Sequence, residues 1–173
     1  MTRRQTTDRS VYIWVSGGTW RATVDAALSL APAAATFTLL HVTDEDAADT
    51  AHGAYLGLFG RSGPDPGARL DELGAASAAE LLEAAAARLG RHCERLDLYG
   101  HTERIVVTAS ASADLLIMAR DGDRSRLGPK SLGRAVRFVV DHAACPVLLV
   151  WPEPPPGVGT LPPPPHHRHQ PGR

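Results

Sequence analysis

Short apolar runs alternate with longer amphipathic stretches through most of the chain. Short continuous apolar runs are typical of strands that are buried on both faces of a parallel sheet. A weaker alternation of leucine with polar residues, at Cys93–Tyr99, is also typical of a strand. The predicted strands are Val11–Val15, Phe37–Val42, Cys93–Tyr99, Leu115–Met118 and Val147–Val150.

The stretches between these runs have apolar residues at helical spacing. Thr19 is the predicted N-cap of the first helix, and Leu70–Leu89, dense in Ala, Leu and Glu, is the strongest helix. Glu103–Ala109 is rich in β-branched residues, but its place between two strands calls for a short helix. The last helix is predicted to start at Pro129, as a first helical residue, or at Ser131, as an N-cap.

The order of these elements predicts one α/β domain. Alternating strands and helices favour right-handed crossovers, and therefore a three-layer open five-stranded parallel sheet with helices on both faces. We predict this domain over residues 11–151, between a disordered N-terminus, 1–10, and a disordered Pro/His-rich tail, 152–173. The tail has little apolar surface to bury. The connection at 44–70 is rich in glycine and proline, and disorder is favoured there over a lid.

The most specific motif lies in the last third of the predicted domain. Residues His142–Val150 read HAACPVLLV, and they follow a strand, a polar glycine loop and an amphipathic helix. At these residues the chain resembles the universal stress protein family, which closes with a segment like HAPCPVLVV and has a loop of pattern G-x2-G-x9-G-[S/T]. The resemblance implies strand order 3-2-1-4-5 and a regulatory or binding role rather than efficient catalysis.

The glycine loop departs from the pattern of the family. Ala119 stands at the first glycine and Gly122 keeps the second. Ten residues separate Gly122 from Gly133 where the pattern has nine, and Arg134 replaces the small hydroxyl residue. Ser16 stands where ATP-binding members have an aspartate after the first strand. The resemblance therefore supports the fold more strongly than it supports nucleotide binding.

A ligand crevice is expected where the strand order reverses, at the carboxyl ends of the first and fourth strands. Glycines there let backbone N–H groups approach a phosphate, and a helix N-terminus adds favourable partial charge. The side chain of Arg134 could pair with a phosphate, fill the crevice or point to solvent. The candidate nucleotide-binding residues at this crevice are Ser16, Gly17, Val42, Gly122, Gly133 and Arg134.

Two functions remain after these departures, and the first is slightly favoured. In the first, nucleotide binding is weakened or lost, and the protein is a regulatory interaction domain of the bacterial stress response. In the alternative, it is an ATP-binding universal stress protein with a rebuilt phosphate loop. A slow nucleotide hydrolase is a distant third alternative, because no base or metal ligand can be named.

Composition and missing motifs argue against other functional classes. The formal net charge of −1 argues against a general affinity for nucleic acid. No G-x-S-x-G motif is present, and Cys93 and Cys145 have neither a metal-ligand spacing nor a visible basic partner. We therefore expect neither an enzyme nor a metal site. The two cysteines and the lack of a signal core or membrane-length apolar stretch predict a cytoplasmic protein.

The last strand predicts a protein partner. Val147–Trp151 would lie at an edge of the sheet, where unpaired backbone groups invite another strand. Universal stress proteins commonly dimerise through this strand, so the resemblance implies a homodimer with Trp151 near the two-fold axis.

Overall fold

The computed structural model describes residues 9–45 and 66–163, and it describes the side chains of the second range from residue 74 onward. These ranges contain a five-stranded sheet in the order β3-β2-β1-β4-β5, with every pair of neighbouring strands parallel. The predicted α/β fold and strand order are confirmed. The strands are β1 Ser10–Trp14, β2 Thr36–Asp44, β3 Cys93–Gly100, β4 Leu115–Ala119 and β5 Val147–Val150.

Helices connect successive strands in the described ranges. They are α1 Trp20–Leu30, α2 Pro66–Leu89, α3 Thr102–Ala109 and α4 Arg134–His142. The β-branched stretch before Ala109 is helical, as its place in the pattern predicts, and the α3 side chain of Val106 is fully buried. None of the described helices combines the length and the apolar character that are needed to cross a bilayer.

The predicted start of the last helix is wrong. Pro129–Ser131 forms a 3-10 turn, and α4 begins later, at Arg134, with Gly133 as its N-cap. The Ser131 hydroxyl donates a hydrogen bond to the carbonyl oxygen of Gly128 at 2.7 Å. Its capping chemistry therefore serves the turn and not the helix.

Each face of the sheet carries its own apolar core. The first core lies under α1 and α2, and the second lies under α3 and α4. Ile13 enters the first core and Trp14 the second, as the two-residue period of a strand requires. Leu39 and Leu40 are divided in the same way. Because helices cover both faces, these strands read as continuous apolar runs.

The two edge strands differ in polarity. At the β3 edge, Glu94, Arg95 and Asp97 are exposed, which is a common protection against pairing with another chain. All residues of β5, the opposite edge, are apolar and half-buried. The apolar edge is therefore the one on which sequence predicted a partner.

The segment that follows β5 packs against the loop between β4 and α4. Glu153 pairs with Arg124 at 3.3 Å, and the hydroxyl of Thr160 accepts a hydrogen bond from Leu127 N at 3.0 Å. Thr160 belongs to a second 3-10 turn, Val158–Thr160. Composition predicts disorder from residue 152 on, whereas Glu153 and Thr160 of this segment have partners in that loop.

The other predicted disordered regions fall largely outside the described residues. This holds for 1–8 of the N-terminus, for 46–65 of the long connection and for 164–173 of the tail. β1 begins at Ser10, one residue before the predicted strand. The helix α2 begins at Pro66, four residues before the predicted helix.

Candidate functional site

The predicted crevice lies at the carboxyl ends of β1 and β4, where the strand order reverses. Ser16 and Gly17 lie in the turn after β1, and Val42 lies near the end of β2. Gly122 and Gly133 lie in the connection between β4 and α4, residues 120–133, which we call the glycine loop. The Val42 side chain is buried in the second core, so only its backbone can face a ligand.

The turn after β1 uses its own hydroxyl groups. Ser16 Oγ and Thr19 Oγ1 lie 2.9 Å apart as a hydrogen-bonded pair. The carbonyl oxygen of Ser16 accepts hydrogen bonds from the N–H groups of Thr19 and Trp20, at 3.2 and 3.1 Å. The Ser16 hydroxyl therefore stabilises the turn, and it supplies no carboxylate to a nucleotide hydroxyl.

The glycine loop is closed by contacts between its two arms. The N–H groups of Gly122 and Asp123 donate to the carbonyl oxygens of Ser131 and Lys130, at 3.0 and 2.8 Å. A Cβ atom on Gly122 would lie only 2.4 Å from Lys130 O. The missing side chain of Gly122 therefore lets the backbone of the opposite arm approach, and the approaching group is not a ligand.

Asp121 lies at the N-terminus of α4. The N–H of Gly133, the N-cap of α4, donates to Asp121 Oδ1 at 2.7 Å. A Cβ atom on Gly133 would lie 2.6 Å from that same oxygen. The helix N-terminus, where an anion is favoured, therefore already has a carboxylate of this chain.

Arg120 joins the glycine loop to the end of β5. Its Nη1 donates to the hydroxyl of Ser131, a residue that is fully buried. Its guanidinium carbon lies 4.7 Å from the ring centroid of Trp151, in a cation–π contact. Its backbone N–H donates to Val150 O at 2.9 Å. Arg120 thus connects the loop to β5 through its backbone and to Trp151 through its side chain.

Most other cationic side chains of the loop have acceptors. Arg124 pairs with Glu153, and Arg126 pairs with Asp123 at 3.4 Å. Hydrogen bonds from the hydroxyl and the N–H of Ser125 hold the pKa of Asp123 below its ordinary value, and Arg126 lowers it further. The positive charge that sequence places in this loop is therefore partly neutralised within it.

Arg134 points to solvent, which is one of its three expected orientations. Its side chain is 89% exposed, and Nη2 lies 3.8 Å from Oε1 of Glu103 at the start of α3. A contact at this distance between an exposed cation and a carboxylate is weak. In this structure the side chain of Arg134 therefore faces solvent beside α3.

Sequence reasoning missed the residues that close the loop. The sequence pattern does not single out Asp121, and it predicts Ser131 only as a helix cap. The available signal was an acidic residue next to a loop glycine, since aspartate caps helices readily. Its partner Gly133 lies twelve positions away, however, and only the folded loop brings the two together.

Two cavities lie away from the crevice. One, of about 710 Å³, is an open groove between α2 and β3, bordered by alanines of α2 and by Arg95 and Asp97. The other, of about 600 Å³, lies at the amino ends of β1, β2 and β3, beside Tyr12, Thr38 and Arg91. In the part of the chain that is described, no group of three or more His, Cys, Asp or Glu side chains could hold a metal ion.

Comparison with known proteins identifies similar sequences and structures. The model of the universal stress protein family matches residues 18–150. No curated protein gives a significant sequence match. The solved structure of hypothetical protein MJ0577 has a TM-score of 0.64 and 18% identity, covering 83% of this chain and 95% of that one.

Two further solved structures are similar to this chain. One is a universal stress protein in complex with cAMP, with a TM-score of 0.56, 17% identity, and coverage of 86% of this chain and all of the other. The second is universal stress protein UspA from Lactobacillus plantarum, with a TM-score of 0.54, 18% identity, and coverage of 84% and 99%. At identities of 17–18%, the structural likeness supports a shared fold and nothing more.

Proposed function

Because the chain belongs to the universal stress protein family, we propose that it is a regulatory interaction domain of the bacterial stress response in the cytoplasm. In this proposal it is not an enzyme, and its glycine loop holds no nucleotide. The closed glycine loop is the observation that carries the proposal. Backbone N–H groups that could receive a phosphate already donate within the chain, at Gly122, Asp123 and Gly133.

A bound nucleotide would have to break several of these contacts. It would displace the carboxylate of Asp121 from Gly133 N–H and separate the arms that Gly122 joins. At the other side of the crevice it would find the Ser16 hydroxyl already bonded to Thr19. Each broken contact subtracts from affinity, since a displaced polar group must find a new partner.

We expect millimolar ATP with Mg²⁺ to leave the thermal unfolding midpoint of the protein unchanged. A ligand at one hundred times its dissociation constant adds about 2.7 kcal/mol of stability. In a domain of this size that would raise the midpoint by roughly 5–10 °C. The same null result is expected for Arg134→Ala, because this side chain points to solvent. Differential scanning fluorimetry at increasing ATP concentration makes the measurement.

A clear rise in the midpoint of the wild-type protein would favour the alternative, an ATP-binding universal stress protein. Loss of that rise in Arg134→Ala would show that the Arg134 guanidinium donates hydrogen bonds to the phosphate groups of the nucleotide. Cyclic AMP belongs in the same experiment, since a solved universal stress protein of the same fold contains it.

We further propose a homodimer that forms through β5. The support is the contrast between the edges: β5 is apolar and half-buried, whereas β3 carries exposed charges. Trp151, which follows β5, is also half-buried and lies under the guanidinium of Arg120. An unpaired apolar edge of this kind is stabilised by pairing with a second copy of itself.

Sedimentation equilibrium at micromolar concentration is expected to give the mass of two chains. Amide hydrogen exchange should then slow in β5 as the protein concentration rises, because pairing protects the outward N–H groups. The β3 edge is the internal control, and its exchange should not change with concentration. A monomer mass, or protection that rises at β3 instead, would contradict the proposed interface.

A further inference from the structure

The start of α4 is a favourable place for a negative charge. The first N–H groups of a helix have no partner within the helix. They carry the equivalent of about half a positive charge. Gly133 precedes this turn, and its N–H donates to Asp121 Oδ1 at 2.7 Å. Asp121 therefore supplies both the acceptor and the charge that a bound phosphate would supply.

The carboxylate lies directly against the backbone of Gly133. A side chain starting at Gly133 would meet Oδ1 of Asp121 at 2.6 Å and Oδ2 at 2.8 Å. Both oxygens thus occupy the space in front of this residue. A phosphate that approached the same N–H would meet a like charge as well as occupied space.

A cationic residue neighbours each of the two residues of this contact in the sequence. Arg120 directly precedes it, and among the described residues its buried Nε has no hydrogen-bond partner. Arg134 directly follows Gly133, and its side chain is almost fully exposed. Positive charge therefore lies next to both residues of the Asp121–Gly133 contact in the sequence, and it remains when the carboxylate of Asp121 is removed.

We propose that Asp121 sets the ligand specificity of the glycine loop, with its carboxylate as a built-in anion that excludes phosphate groups from the N-terminus of α4. The inference rests on the proposed function, in which the loop holds no nucleotide. Beyond that function, the inference names Asp121 as the residue that excludes the nucleotide, and charge repulsion as the cause.

The test is binding of inorganic tripolyphosphate to the full chain, measured by calorimetric titration. This probe carries the phosphates of a nucleotide without its base or sugar. Asp121→Asn removes the charge while keeping an oxygen that can accept from Gly133 N–H, so the loop still folds, and a neutral amide oxygen is a weaker acceptor that a phosphate can displace. Removing a like charge about 4 Å from the ligand should tighten binding by roughly tenfold or more. Asp121→Ala, which also removes the acceptor, should bind at least as tightly.

Asp141→Asn is the matched control. Asp141 is exposed in the last turn of the same helix, and its substitution changes the net charge by the same amount. We expect Asp141→Asn and the wild-type protein to show equally weak binding. A folded Asp121→Asn protein that titrates like Asp141→Asn would overturn the inference. ATP binding by the wild-type protein is a separate result, and it would refute the proposed function instead.

Discussion

Replacement of Leu89 by alanine is expected to lower the free energy of unfolding by about 2–5 kcal/mol. Leu89 is the last residue of α2, and only 2% of its surface is exposed. Its side chain fills the core between the sheet and the pair of helices α1 and α2. Alanine would leave a cavity there, while its helix propensity is close to that of leucine. Lost packing would therefore dominate the change.

Leu30→Ala provides a control with the same chemistry. Leu30 is the last residue of α1, but 64% of its surface is exposed, and we expect a change within about 0.5 kcal/mol. Urea unfolding should show a lower midpoint with an unchanged slope for Leu89→Ala alone. Its thermal midpoint should fall by roughly 5–15 °C. Equal effects at the two leucines would mean that α2 does not pack on the sheet as described.

The fold could be predicted from sequence because burial determines most of its pattern. Strands covered on both faces become continuous apolar runs, and the spacing of helical residues distinguishes the connections. The stretch at 105–108 is a demanding case, since its β-branched residues favour a strand. It is helical because its position in the alternation requires a crossover, and Val106 is fully buried on the sheet.

Helix starts were less predictable because a cap and a turn use the same chemistry. Ser131 has the hydroxyl of an N-cap, yet that hydroxyl bonds to Gly128 in a 3-10 turn. The order of residues does not reveal which backbone group a hydroxyl will meet. The same limit applies to 152–163, where composition indicates disorder but the loop supplies partners such as Leu127 N–H.

The location of the candidate site was predictable, whereas its chemistry was not. Topology places Ser16, Gly17 and Val42 at the end of the sheet to which the glycine loop belongs. A glycine in a loop indicates close approach of another group, but it does not say which group approaches. At Gly122 that group is the backbone of Lys130, and at Gly133 it is the carboxylate of Asp121.

Gly122→Ala is expected to destabilise the protein by about 1–3 kcal/mol. The new Cβ would lie 2.4 Å from Lys130 O, 2.9 Å from Ser131 C and 3.0 Å from Gly133 N. All three are backbone atoms, which cannot rotate away as a side chain would. The arms must therefore separate, and the hydrogen bonds from Gly122 and Asp123 would lengthen or break.

Gly157→Ala separates this effect from the general cost of replacing a glycine. A Cβ on Gly157 would meet no atom within 4 Å, and its φ of −62° suits alanine. We expect its stability to stay within about 0.5 kcal/mol of the wild-type value. Thermal and urea unfolding compare the stabilities of the two variants. Hydrogen exchange at residues 122 and 123 shows whether the hydrogen bonds of these two amides are lost.

The outcome at Gly122 also bears on function, because loop closure and ligand access compete for the same backbone groups. If Gly122→Ala unfolds like the wild-type protein and exchange at residue 122 is already fast, then the arms are apart in solution. The N–H groups of Gly122 and Asp123 would in that case be available to a phosphate. That result would remove the observation on which the nucleotide-free function depends. If these amides are instead protected from exchange in the wild-type protein and lose that protection only in Gly122→Ala, then this glycine is needed to keep the loop closed.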